Sequence, residues 1–229
     1  MTTCGMHQLL PSPAAVSAAE AYTDDRRRSR AGRPWVVTNM IASLDGATAL
    51  DGTSGGLGGP ADREVFQTLR SMADLVLVGA ATVRAERYRA PTKPGLRVAV
   101  VTGSGDLDWS SSLFTSGAGF VITTESAPAL PVDSLRTPGN RLDLAWALGH
   151  LGEHVEAGVV LCEGGPSLNG QLLAGDLIDE LCLTVSPTLV GGHSSRVMTS
   201  ATATPSNFDL AHVLEADGLL FLRYLRRGH

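Results

Sequence analysis

Cysteine is scarce in this chain: three in 229 residues, at Cys4, Cys162 and Cys182. The count is odd and no C-x-x-C occurs, so neither a disulfide framework nor a zinc site is encoded. Cys162 and Cys182 fall in apolar runs and read as small buried hydrophobes. Six histidines are present without H-E-x-x-H or any other metal-ligand spacing, so no metal is expected. Charge is also thin, at 18% of residues with a formal net charge of −5. Nothing there drives the chain onto nucleic acid or an anionic membrane. No apolar run approaches the length of a bilayer span. The first ten residues lack the basic start and long apolar stretch of a secretory signal. A cytoplasmic protein with a small-molecule ligand is expected.

What is present is a chain long enough for one domain with a substantial core. Residues 1–33 read as a peripheral segment, with a short helix over 14–22. The run Arg26-Arg27-Arg28-Ser29-Arg30 reads there as a solvated connector. Residues 34–229 read as a single domain. Strands are expected over 35–42, 75–78, 96–102, 119–123, 158–162 and 181–186. Most of these runs are continuously apolar, as in strands covered on both faces. Helices are expected from Pro60, with Val65, Phe66, Leu69 and Met72 on one face, and over 142–151 and 166–174. Residues 124–138 read as loop-rich. An antiparallel hairpin around Asp217-Gly218 ends the chain. Alternating strands and helices give an α/β fold with a mostly parallel sheet.

The most informative stretch is Val159-Val160-Leu161-Cys162-Glu163-Gly164-Gly165-Pro166-Ser167-Leu168. A buried strand runs into two glycines and then a proline that opens a helix. Bare glycines let a ligand approach the backbone, and the free N–H groups and dipole of the helix start favour an anion. The same junction also serves as a plain tight turn. Two other strand ends carry suitable groups, Gly79-Ala80-Ala81-Thr82-Val83-Arg84 and Thr102-Gly103-Ser104-Gly105. If the three strands are neighbours, these loops line one crevice sized for a dinucleotide. By contrast, Gly56-Leu57-Gly58-Gly59-Pro60-Ala61 matches G-x-G-x-x-A only formally. It follows a polar loop, with no acidic residue about 20 positions on, so it is not a Rossmann fingerprint.

An ordered set of motifs spans residues 34–225: Asn39-Met40-Ile41-Ala42-Ser43-Leu44-Asp45-Gly46, Leu69-Arg70, Val78-Gly79-Ala80-Ala81-Thr82-Val83, Glu163-Gly164-Gly165-Pro166-Ser167-Leu168, and Leu177-Ile178-Asp179-Glu180-Leu181 with Ser186-Pro187. This set resembles the reductase domain of the bacterial riboflavin pathway, which has a dihydrofolate-reductase-like fold. The partner deaminase signature, H-x-E with P-C-x-x-C, does not occur.

The resemblance implies NADPH-dependent reduction of 5-amino-6-(5-phosphoribosylamino)uracil to its ribitylamino product. It assigns cofactor contacts to Gly79, Thr82, Val83, Glu86, Thr102, Gly164, Gly165, Pro166, Ser167 and Leu168. It assigns substrate contacts to Asn39, Ser43, Ser54, Arg70 and Glu163, with Arg70 clamping the phosphate. Glu163 is the catalytic candidate, bonding the ring or passing a proton. Asp45 reads as the holder of its Asp-Gly turn.

There are departures from the family pattern. Ala47 stands where a basic residue is usual. Glu86-Arg87-Tyr88 replaces Asp-Asp-Pro, and Gly103-Ser104-Gly105-Asp106 lacks the cation that serves a cofactor 2′-phosphate, which leaves Arg84 to supply it. These departures keep two alternatives open: a related reductase acting on a pterin such as dihydrofolate, and a non-catalytic nucleotide-binding protein. The resemblance also implies a homodimer, through C-terminal strands whose edge would otherwise be exposed.

Overall fold

The structure is a computed structural model that describes residues 5–24, 26–27, 32–151, 155, 157–200 and 202–227. Cys4, Arg28, Ser29 and Arg30 lie outside the described residues. One sheet runs through the molecule. Its strands are β1 (Met6–Leu10), β2 (Ala14–Val16), β3 (Trp35–Ser43), β4 (Leu75–Gly79), β5 (Arg97–Val101), β6 (Gly119–Thr124), β7 (Ser134–Thr137), β8 (Val159–Cys162), β9 (Glu180–Ser186), β10 (Phe208–Ala216) and β11 (Leu219–Arg226). Their order across the sheet is β2-β1-β10-β11-β9-β3-β8-β4-β5-β6-β7. The pairings from β9 to β7 are parallel and those from β2 to β9 antiparallel.

Helices α1 (Ala18–Tyr22), α2 (Pro60–Met72), α3 (Ala80–Ala85), α4 (Ser112–Thr115), α5 (Leu144–His150) and α6 (Pro166–Ala174) cover the faces. Ala61, Val65 and Leu69 of α2 join one core cluster with Val37, Val76 and Val78. Leu168 and Leu172 of α6 join a second, on the opposite face, with Leu75, Leu77 and Val160. This two-sided cover explains the continuous apolar runs of the central strands. Cys162 and Cys182 are buried free thiols, and burial pushes the Cys162 thiol up to about 12.

Several expectations need correction. The segment read as peripheral builds β1 and β2 into the sheet, with Met6 and Tyr22 buried, because β1 completes the hydrogen bonding of β10. The C-terminal hairpin therefore has no free edge. Residues 14–22 divide into β2 and α1, since Ser17 caps the helix and forms a capping box with Glu20. Arg27 is a buried ion-pair partner of Glu180 rather than a solvated cation. Residues 134–137 form the edge strand β7 within the span read as loop.

Candidate active site

Strands β8, β4 and β5 are adjacent, so their carboxyl-end loops do line one crevice. Cys162 ends β8, and Glu163, Gly164 and Gly165 lead into Pro166 at the start of α6. The Gly79 N–H donates to the Gly164 carbonyl at 2.7 Å, and the Gly164–Gly165 peptide is cis. Gly164 has φ +85°, which only glycine adopts freely, and a Cβ there would stand 2.9 Å from Met40 Sδ. A Cβ on Gly165 would stand 2.6 Å from Thr82 Oγ1. The first turn of α6 has no side-chain cap. Its Ser167 and Leu168 amides precede the first helical bond, which runs from Asn169 to Gly165, and both residues face a cavity of about 650 Å³.

Adjoining this mouth, on the same cavity, is a compact ion cluster. Arg70 of α2 grips Glu163 with two bonds of 2.7 Å, from Nε to Oε1 and from Nη2 to Oε2. The Tyr88 hydroxyl donates to Oε2 at 2.5 Å. The Arg70 guanidinium lies 4.3 Å from the Phe66 ring centroid and 5.6 Å from that of Tyr88. Burial and the adjacent Glu163 charge raise the Tyr88 phenol well above its ordinary value, so it remains a donor. Burial lowers the Arg70 pKa, but its bonds to Glu163 outweigh that and raise it overall.

A second cavity, also about 650 Å³, adjoins the first and shares Ser54, Phe66, Glu86 and Tyr88 with it. Its other wall is basic, with Arg70, Arg87, Arg89 and Lys93. Glu86 accepts from the Ser54 amide at 2.7 Å and so ties the glycine-rich loop 51–59 to the end of α3. Arg84 reaches the loop after β5, donating to the Asp106 carbonyl at 2.6 Å.

Of the residues picked from sequence, Asn39, Ser54, Gly79, Thr82, Glu86 and Thr102 all border the first cavity. So do Glu163, Gly165, Pro166, Ser167 and Leu168. Four picks lie elsewhere. Ser43 is buried at the end of β3, bonding Asp45 and the Ala47 amide, so it shapes the turn and not the pocket. Val83 points into the core below α3. Gly164 lies behind the mouth against Met40. Arg70 borders the second cavity, with Glu163 already in its grip. Asp45 holds its turn as read, and also binds the Val190 and Gly191 amides; these bonds and that from Ser43 lower its carboxyl to about 2. Sequence reasoning did not pick Asp62, Phe66 or Tyr88 as site residues, although Asp62, Phe66 and Arg70 recur every four residues on α2, the spacing of one helix face. Among the described residues no group of side chains is arranged to hold a metal ion, and no helix is long and apolar enough to cross a membrane.

The RibD C-terminal domain family matches residues 34–220. This chain belongs to that family. A reductase of Methanothermobacter thermautotrophicus, named for 2,5-diamino-6-ribosylamino-4(3H)-pyrimidinone 5′-phosphate, is 30% identical over 72% of this chain and 83% of its own. The riboflavin biosynthesis protein RibD of Bacillus amyloliquefaciens is 28% identical over 80% of this chain, which spans only 54% of that longer protein. Among solved structures, a pyrimidine reductase-like protein of Corynebacterium diphtheriae superposes with a TM-score of 0.76 at 23% identity, over 86% of this chain and 93% of the other. Enterococcus faecalis dihydrofolate reductase superposes with a TM-score of 0.52 at 13% identity, over 84% and 96%, which bears out the dihydrofolate-reductase-like fold.

Proposed function

We propose that this RibD-family chain is a cytoplasmic, NADPH-dependent reductase of a phosphoribosylamino-pyrimidine in riboflavin synthesis. One observation carries the reading: a single cavity runs from the uncapped start of α6 to the Glu163–Arg70–Tyr88 cluster and adjoins a basic second cavity.

The residues present suit a nicotinamide dinucleotide. Thr82 and the Gly165 backbone leave no room for a side chain at the mouth, and the free amides of Ser167 and Leu168 suit a pyrophosphate. Thr82, Thr102 and Gly165 through Leu168 would hold the cofactor. Arg84, beside the Gly103–Asp106 loop, would meet a 2′-phosphate. When bound, the cofactor supplies the hydride.

Glu163 already accepts three bonds from Arg70 and Tyr88. A carboxylate has about four acceptor positions, so one remains to orient an N–H of the substrate. Arg70 neutralises Glu163 and stiffens it. The phosphate falls instead to Arg87 and Arg89, exposed cations at the second cavity without acidic partners among the described residues. That basic wall favours a phosphate-bearing substrate over a pterin. We also infer a homodimer through the uncovered face of β9–β11–β10, where Leu183, Leu222 and Val213 form one cross-strand row; sedimentation showing only monomer would refute it.

The deciding experiment is NADPH oxidation by the purified protein, assayed in parallel with the phosphoribosylamino-pyrimidines and dihydrofolate. Oxidation with a pyrimidine supports the reading. Tight NADPH binding without turnover of any ring leaves a binding protein.

A further inference from the structure

Tyr88 reaches Glu163 by way of a tight helix end. Helix α3 is capped by Glu86, and Arg87 follows at φ +50°, a place glycine usually fills. The Tyr88 N–H then donates to the Val83 carbonyl at 3.1 Å, the bond that closes a Schellman turn. The Tyr88 ring packs on the core cluster that contains Val83, the apolar contact that accompanies such turns. Tyr88 is thereby set at the junction of the two cavities and borders both.

The three bonds on Glu163 are unevenly divided. Oε1 accepts one, from Arg70 Nε at 2.7 Å. Oε2 accepts two, from Arg70 Nη2 at 2.7 Å and from the Tyr88 hydroxyl at 2.5 Å. Each carboxylate oxygen offers about two acceptor positions, so Oε2 is full and Oε1 has one left. Arg70 alone would leave one on each oxygen. Neither donor yields its proton readily. Burial and the Glu163 charge raise the Tyr88 phenol well above its ordinary value. The Arg70 guanidinium, although burial lowers it, is raised overall by its bonds to Glu163.

We propose that Tyr88 is a positioning residue that fills Oε2 and so makes Oε1 the one oxygen through which Glu163 bonds the reacting pyrimidine or exchanges a proton with it. The carboxylate then meets its substrate in a single register. Without the hydroxyl both oxygens stay open, and a donor on the substrate is shared between two registers, of which one is productive. The loss falls on the reacting geometry more than on binding, since the basic wall of the second cavity is untouched. The role rests on the reductase reading for the identity of the ligand at Glu163.

The test is Tyr88→Phe, which keeps the ring beside Arg70 and removes the hydroxyl. With NADPH and whichever pyrimidine phosphate the wild type turns over, kcat is expected to fall about tenfold or more, with KM within about threefold. On top of Glu163→Gln the same change should add little loss, because residues that act through one contact are not additive. A second readout needs neither substrate nor cofactor: the infrared carboxylate band lost in Glu163→Gln should shift in Tyr88→Phe. A merely structural tyrosine would lower activity by the same factor with or without Glu163→Gln and leave the band in place. That result, turnover equal to wild type in Tyr88→Phe, or a rise in KM with kcat unchanged overturns the positioning role and leaves the reductase reading standing. A wild-type protein that oxidises NADPH with no pyrimidine phosphate overturns the reductase reading, and the role of Oε1 with it, even where the band shifts.

Discussion

Glu163 and Glu180 are both buried carboxylates held by arginine, and they stand at opposite ends of the parallel strands. Glu180, at the start of β9, accepts from Arg27, Arg223 and the Trp35 indole. The Arg27 and Arg223 side chains are only 5% and 4% exposed, and Asp24 takes up the surplus charge at Arg223. Glu163 has one guanidinium, one phenol and a cavity on its open side. The first cluster is closed and can only hold elements together. The second keeps an acceptor unused and can take a ligand. What separates scaffold from site here is the number of bonding positions left over, since burial and charge are similar.

Mutation should break the symmetry between the two. Glu180→Ala strands two arginines in the interior and should cost about 3–5 kcal/mol of stability, seen as a collapsed urea midpoint or loss of soluble protein. Acid should attack the same cluster. Burial raises the Glu180 carboxyl, but Arg27 and Arg223 more than reverse this and hold it at about 2, against an ordinary 4.5. The folded value is the lower one, so its contribution, about 3 kcal/mol, is complete above pH 4.5 and disappears as pH falls toward 2. His212, packed edge-on to Tyr22 on β10, is lowered to about 4 by burial first and Arg223 second, from 6.5. Its contribution is therefore lost between pH 6.5 and 4, and His212→Phe should remove that upper part of the acid transition alone. Unfolding free energy measured against pH checks both windows.

Glu163→Gln should behave differently, with turnover reduced about a hundredfold and stability far less affected than by Glu180→Ala. Equal destabilisation by the two changes would make them one kind of cluster. The smallest effect is expected from Gly165→Val, which crowds Thr82 and should weaken NADPH at least tenfold, about 1.4 kcal/mol. An unaltered fluorescence titration in the folded variant would contradict the mouth assigned to the cofactor.

The parallel core was legible because strands covered on both faces must be continuously apolar, as Leu75 through Val78 and Val98 through Val101 are. The glycine mouth was legible because Gly-Gly-Pro fixes backbone behaviour locally. β1 was not, since Met6-His7-Gln8-Leu9-Leu10 becomes a strand only by pairing with β10 some 200 residues later. The Glu180 cluster was hidden for the same reason: Arg27 is 153 residues from its partner. Ser43 and Val83 show a different limit. Their motifs lie at the site, but strand alternation and helix phase turn those two side chains away from the cavity.

The segment ahead of the family match has a practical consequence. The match starts at residue 34, yet β1, Tyr22 and Arg27 all precede it. An expression clone trimmed to that boundary would bare the hydrogen-bonding edge of β10, uncover His212 and leave Glu180 one arginine short. The excised product would be an aggregating fragment, so the homology limit of this protein is not its folding limit.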